Sequence, residues 1–233
     1  MGSFNLGALG PEGYRLILSG FGMTCALVCA SLICALLIGL VVGTARWTNL
    51  PILRQVTKLY IEIARNTPPL VQILFWYFSA SVVLPAWAVV RLRDIGFEFS
   101  AAVIALSLYH GAFMAEVYRA GLNSLGTGQF EAGRALGLSF RQVMTRVAFP
   151  QVVRVATPAM LNEVVALVKS TSLALAIGVA ELTYQYKYID NFQFRGTEAL
   201  VIVTCLYLVL CLSLSMLGRH LATRLHRARH SGS

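Results

Sequence analysis

Apolar residues along this chain come in long unbroken runs rather than in alternation or short periodic bursts. No charged side chain falls within residues 16–45, 66–90, 99–115 or 199–218. A helix crossing a bilayer needs about 20 mostly apolar residues, with a range near 17–25. A fifth apolar segment, residues 155–180, is interrupted by Glu163 and Lys169. The pattern predicts an all-α integral membrane fold in one domain over 1–233, with five spans at 16–44, 67–90, 99–118, 155–180 and 199–218. The first run has no positive segment before it and exceeds a signal-peptide core of about 7–15 residues, so it is expected to stay as a span.

Composition agrees: 57% of residues are apolar and 12% charged, about half the charge of a soluble domain. The net charge of +9 reads as a topology signal. The basic residues are spread between apolar runs, not gathered in the aromatic-studded stripe that nucleic acid requires. Lys and Arg favour the cytoplasmic side. With the N-terminus outside, the inner segments carry Arg46, Arg54, Lys58, Arg65, Arg119, Arg134, Arg141, Arg146, Arg154, Arg219, Arg224, Arg227 and Arg229. The outer ones carry Arg15, Arg91, Arg93, Lys187 and Arg195. This asymmetry predicts the N-terminus outside and the C-terminus in the cytoplasm. Cys25, Cys29, Cys34, Cys205 and Cys211 all fall inside apolar runs and read as small packing residues rather than disulfide or zinc partners.

The inner connection at 119–154 has room for structure of its own. Residues 129–136 are helix-prone, Gly137 suits a left-handed helix end, and Ser139 with Gln142 matches a capping box. Two short helices joined at a glycine corner are predicted, with Pro150 limiting the second.

Within that loop Glu131, Ala132, Gly137 and Pro150 stand in the register of the Glu-Ala-Ala motif, so the segment resembles the coupling loop of ABC importer permeases. It departs mildly, with Gly133 at the third Ala, Val147 for Ile and Phe149 for Leu. The stretches RNTPPLVQILFWYF from Arg65, AFMAEVYRAGLNSLGTGQFEAGRALGLS from Ala112 and NEVVALVKSTSL from Asn162 are similar to the polar amino-acid branch of that family. The resemblance implies a type I importer permease in a bacterial inner membrane. Its partners would be an ATP-binding subunit dimer, a second permease copy or homologue, and an extracytoplasmic solute-binding protein. Glu131, Ala132, Gly133, Gly137 and Pro150 would form the ATPase-coupling element. ATP and magnesium belong to the partner, because a phosphate loop needs Gly-Lys before Ser or Thr. Here Lys58, Lys169 and Lys187 follow Thr57, Val168 and Tyr186.

Charges inside spans cost about 2.5–3.5 kcal/mol each on insertion scales and face cavities or partners. Glu163 and Lys169 are therefore candidate substrate contacts, with Ser170, Thr171 and Ser172 beside them. They are six residues apart, outside ordinary helical pairing, so each needs another partner. Together they could meet a zwitterionic amino acid if the helix bends near residue 170. Ser170 replaces the Asp that similar permeases carry, which favours an acidic or neutral substrate over a cationic one. His110 is a candidate pathway-lining or packing residue, and Glu116 could bind Arg119. Thr67 and Pro68 read as the start of the second span. An intramembrane hydrolase would need paired acids, a metal cluster or a Ser-His dyad. Asp94 and Asp190 fall in outer loops, and Ser107 with His110 is the one conceivable dyad.

Overall fold

The first apolar run folds as one uninterrupted helix, α1 (Gly10–Trp47). The computed structural model describes residues 9–47, 50–125 and 127–230. Its further helices are α2 (Pro51–Asn66), α3 (Pro69–Val83), α4 (Ala86–Ile95), α5 (Phe97–Asn123), α6 (Thr127–Ala135), α7 (Phe140–Val143), α8 (Phe149–Ser170), α9 (Leu182–Gln193) and α10 (Gly196–His230). Residue 126, in the connection at 119–154, and the side chains of Arg224, Arg227 and Arg229 lie outside the described residues.

Among the described residues four helical runs are long and apolar enough to cross a membrane: Gly10–Trp47, Phe97–Asn123, Arg141–Ile177 and Gly196–Thr223. The expected span at 67–90 is instead broken into α3 and α4. Pro85 lacks an N–H and holds Leu84 extended, at φ −97° and ψ 148°. The 15 residues of α3 extend about 22 Å, against a hydrocarbon thickness of about 30 Å. Thr67 does not open this helix. Its hydroxyl donates to the Ile63 carbonyl at 2.8 Å, closing α2, and Pro68 is the N-cap of α3.

α2 was hidden inside an expected loop. Pro51 starts it, and Arg54, Lys58 and Glu62 recur on one exposed face. Its other face buries Thr57, Ile61 and Ala64, the last two against Ala112 and Ala115 of α5. The Tyr60 hydroxyl donates to the Leu108 carbonyl at 2.6 Å, fixing α2 on α5.

Small residues let α1 and α5 approach closely, the usual device where lipid removes the hydrophobic drive between helices. A Cβ on Gly39 would stand 2.5 Å from the Met114 Cβ, and one on Gly43 2.8 Å from the Ala115 carbonyl oxygen. The largest core joins Leu27, Ile73, Leu106 and Leu167, from α1, α3, α5 and α8. A second joins Ile17, Leu182, Ile189 and Val203. Of the five cysteines, all free, Cys29, Cys34 and Cys205 are exposed on α1 and α10. The packing role expected of all five is therefore limited to the half-buried Cys25 and Cys211.

Candidate functional site

The connection at 119–154 forms the helix pair that its local grammar predicts. Gly137 takes φ +73° between α6 and α7, a conformation that a side chain would strain. The capping box is present: the Ser139 N–H donates to Gln142 Oε1 at 2.8 Å, and the Gln142 N–H to Ser139 Oγ at 3.3 Å. Gly133 is buried against the second helix, where an added Cβ would meet Val143 Cγ2 at 2.6 Å. This contact explains the glycine at the third motif position. Glu131, Ala132 and Gly137 are exposed, and Leu136 at the corner is 79% exposed.

Pro150 does not end the second helix. Residues Met144–Ala148 open into a π-turn, and the Phe149 N–H bonds back to the Met144 carbonyl. A proline in a regular helix clashes with the carbonyl four residues earlier. The wider turn makes room for the ring, and the chain runs on as α8 to Ser170.

Where α5 leaves the bundle beside this loop, Glu116 binds both Arg46 of α1 and Arg119, the latter at 2.8 Å. The expected Glu116–Arg119 contact is thus part of a three-residue clamp tying α1 to α5.

Glu163 and Lys169 part company. Glu163 meets α5, with Oε1 2.6 Å from His110 Nδ1. His110 is buried among its neighbours, 1% exposed, and does not line an open passage. Ser107 donates instead to the Ser31 carbonyl at 3.3 Å, so the two form no dyad. Lys169 is exposed in an open groove of about 470 Å³ between α8 and α10, beside Ser172, Thr204, Tyr207 and Ser215. No ion pair reaches Lys169 among the described residues. The helix does tighten where a bend was envisaged, into a 3₁₀ run over Thr171–Ile177 ending at Gly178, φ +86°. The hydroxyls of Ser170, Thr171 and Ser172 donate to the carbonyls of Ala166, Val168 and Lys169.

Glu181 escaped the sequence reading. Fully buried, it caps α9 by accepting from the Thr183 and Tyr184 N–H groups at 2.9 and 2.8 Å. The Tyr207 hydroxyl of α10 donates to it at 2.7 Å. Burial pushes its carboxyl above the usual range, against the pull of these hydrogen bonds. An acid directly before a helix start was the available signal. Among the described residues no group of His, Cys, Asp and Glu is placed to hold a metal.

An all-helical membrane subunit with a projecting, glycine-cornered helix pair is the class that these features define. Residues 35–227 match the family described as binding-protein-dependent transport system inner membrane component, and the chain belongs to that family, as an amino-acid ABC transporter permease. It is 35% identical over 223 residues to the glutamine transport system permease protein GlnP of Escherichia coli K12, covering 95% of this chain and 98% of that one. It is 35% identical over 193 residues to the probable amino-acid ABC transporter permease protein PatM of Vibrio harveyi, covering 82% and 83%. Among solved structures, an amino acid ABC transporter with histidines superposes at a TM-score of 0.80 with 30% identity, over 96% of this chain and 100% of that one. The MetNI methionine transporter shares the fold at 0.72 with 21% identity, over 93% and 99%.

Proposed function

We propose that this permease forms the path by which an ATP-driven importer carries a polar amino acid, acidic or neutral, through a bacterial cytoplasmic membrane. The glutamine system named for its Escherichia coli relative supports a neutral polar substrate, and Ser170 in place of a carboxylate argues in the same direction. In this reading α3 and the start of α4, broken at Pro85, together make the fifth crossing beside the four long helices, with the N-terminus outside and the C-terminus in the cytoplasm. The chain binds neither ATP nor magnesium. Both belong to a separate ATPase dimer, and a solute-binding protein delivers substrate from outside. A second copy or homologue completes the path, because one bundle of this size encloses little space. Glu163 meets the ammonium of the substrate. Lys169, facing the α8–α10 groove, meets its carboxylate at a different stage, with Ser170 and Ser172 beside the way between. The expected Thr171 contact is withdrawn, because its side chain is fully buried and bonded to the Val168 carbonyl.

The observation that carries this reading is the corner of the helix pair. Leu136 stands 79% exposed and Glu131 is exposed on a pair stiffened by the Gly133–Val143 contact. An apolar knob and a separate charge on a rigid lever fit a groove in a partner that moves. The test is co-purification with the ATPase subunit, which the double change Glu131→Lys with Gly137→Val abolishes. An unaffected complex counts against the coupling role.

A further inference from the structure

We propose that His110 is a positioning residue that presents Glu163 to the substrate ammonium; the proposal rests on the assignment of Glu163 to the substrate site. His110 stands midway along α5 (Phe97–Asn123). Its Nδ1 lies 2.6 Å from one oxygen of Glu163, Oε1, so that oxygen is held. The other, Oε2, has no hydrogen-bond partner among the described residues, and the Glu163 side chain keeps 16% of its exposure. A carboxylate fixed through one oxygen has given up most of its rotamer freedom before substrate arrives. Its free oxygen then points in one direction.

The imidazole is itself closely packed. Its ring sits edge-on to Tyr109, centroids 5.0 Å apart. The following residue, Gly111, is pressed by α1: a Cβ there would stand 2.8 Å from Ile38 Cγ2.

Hydrogen-bond geometry also assigns the hydrogen on the ring. Contact with a carboxylate requires it on Nδ1. Nε2 is buried with no partner among the described residues. A second hydrogen there would be an orphaned, charged donor, whereas an unprotonated nitrogen leaves only a lone pair unmet. In this tautomer the imidazole orients a Glu163 carboxylate by a hydrogen bond without cancelling its charge, which is what a site for an ammonium needs.

The experiment uses the whole transporter, with its ATPase and binding protein, in proteoliposomes. They are fed an equimolar mixture of the twenty isotope-labelled L-amino acids, each quantified inside by mass spectrometry, and kinetics are then measured for the one imported fastest. His110→Ala is expected to raise its KM about tenfold or more, the scale of a lost hydrogen bond to a charged group, with kcat changed less than about threefold. His110→Asn, whose amide nitrogen reaches the place of Nδ1, restores KM to within about threefold of wild type. His110→Gln, which reaches the place of Nε2, does not. Glu163→Gln raises KM at least as far, and adding His110→Ala to it costs nothing more. Equal behaviour of the Asn and Gln variants reduces His110 to packing and overturns the proposal, including when the Ala variant fails to assemble. Normal KM in both the Ala and Gln variants with Glu163→Gln impaired also overturns it, leaving the Glu163 assignment intact. Normal KM in Glu163→Gln removes that assignment and this inference with it.

Discussion

Gly133 and Val143 hold α6 and α7 so close that a single methyl group does not fit between them: a Cβ at residue 133 would lie 2.6 Å from Val143 Cγ2. Overpacking of this kind costs about 1–3 kcal/mol. Gly133→Ala is therefore expected to splay the pair, weakening ATPase binding about tenfold while leaving the membrane helices intact. Val143→Ala in the same chain makes the room and restores binding. Titration of the purified permease with its ATPase measures both variants, and failure of the second change to compensate would put the effect elsewhere.

That helix pair was the most legible part of the site, because its signals are local. A glycine at a left-handed corner and a Ser-x-x-Gln box act within four residues of themselves. The polar stripe Arg54, Lys58, Glu62 is an equally local sign of α2, masked because the same basic residues also mark topology. The break at Pro85 was also written in the sequence. The π-turn before Pro150 was not: a proline announces a conflict, but whether the helix stops or widens depends on what the next turns pack against. Nor was the His110–Glu163 contact, which joins residues from separate helices through tertiary packing alone.

Glu116 sits between Arg46 and Arg119 and is about a fifth exposed. Glu116→Gln leaves two guanidiniums facing each other across α1 and α5. The expected loss, discounted for solvent screening, is about 1–2 kcal/mol, read as a lower melting temperature in detergent. A change of Arg119 alone, with the more exposed side chain, should cost less.

Glu181 gives the fold a pH signature. Its carboxyl is raised in the folded chain by burial, so the folded state holds the proton more tightly than the unfolded one. The stabilisation from that proton is fully present below the unfolded value of 4.5 and is lost as pH rises through the folded value. Wild-type melting temperature should therefore rise, relative to that of Glu181→Gln, as pH is lowered from 7 toward 5. Parallel profiles for the two proteins would show that Glu181 titrates as it does in the unfolded chain.

Lys169 is exposed in its groove with no anion paired to it among the described residues. Lys169→Ala should leave the melting temperature unchanged or slightly higher, since no bond is broken. Uptake should fall about tenfold or more if the substrate carboxylate passes this cation. Normal uptake would take Lys169 off the path.

On the proposed function this chain moves an amino acid by receiving motion from a separate ATPase at its exposed corner, and Leu136 is the residue that isolates that step. Leu136→Asp exchanges a side chain that is 79% exposed and so should not disturb the membrane helices. Paired measurements of ATP hydrolysis and amino-acid import in proteoliposomes decide the matter. The expected result is loss of import and of bound ATPase, with an unchanged melting temperature of the permease. Import at the wild-type rate by the Leu136→Asp chain, or import without ATP in the wild type, would contradict it.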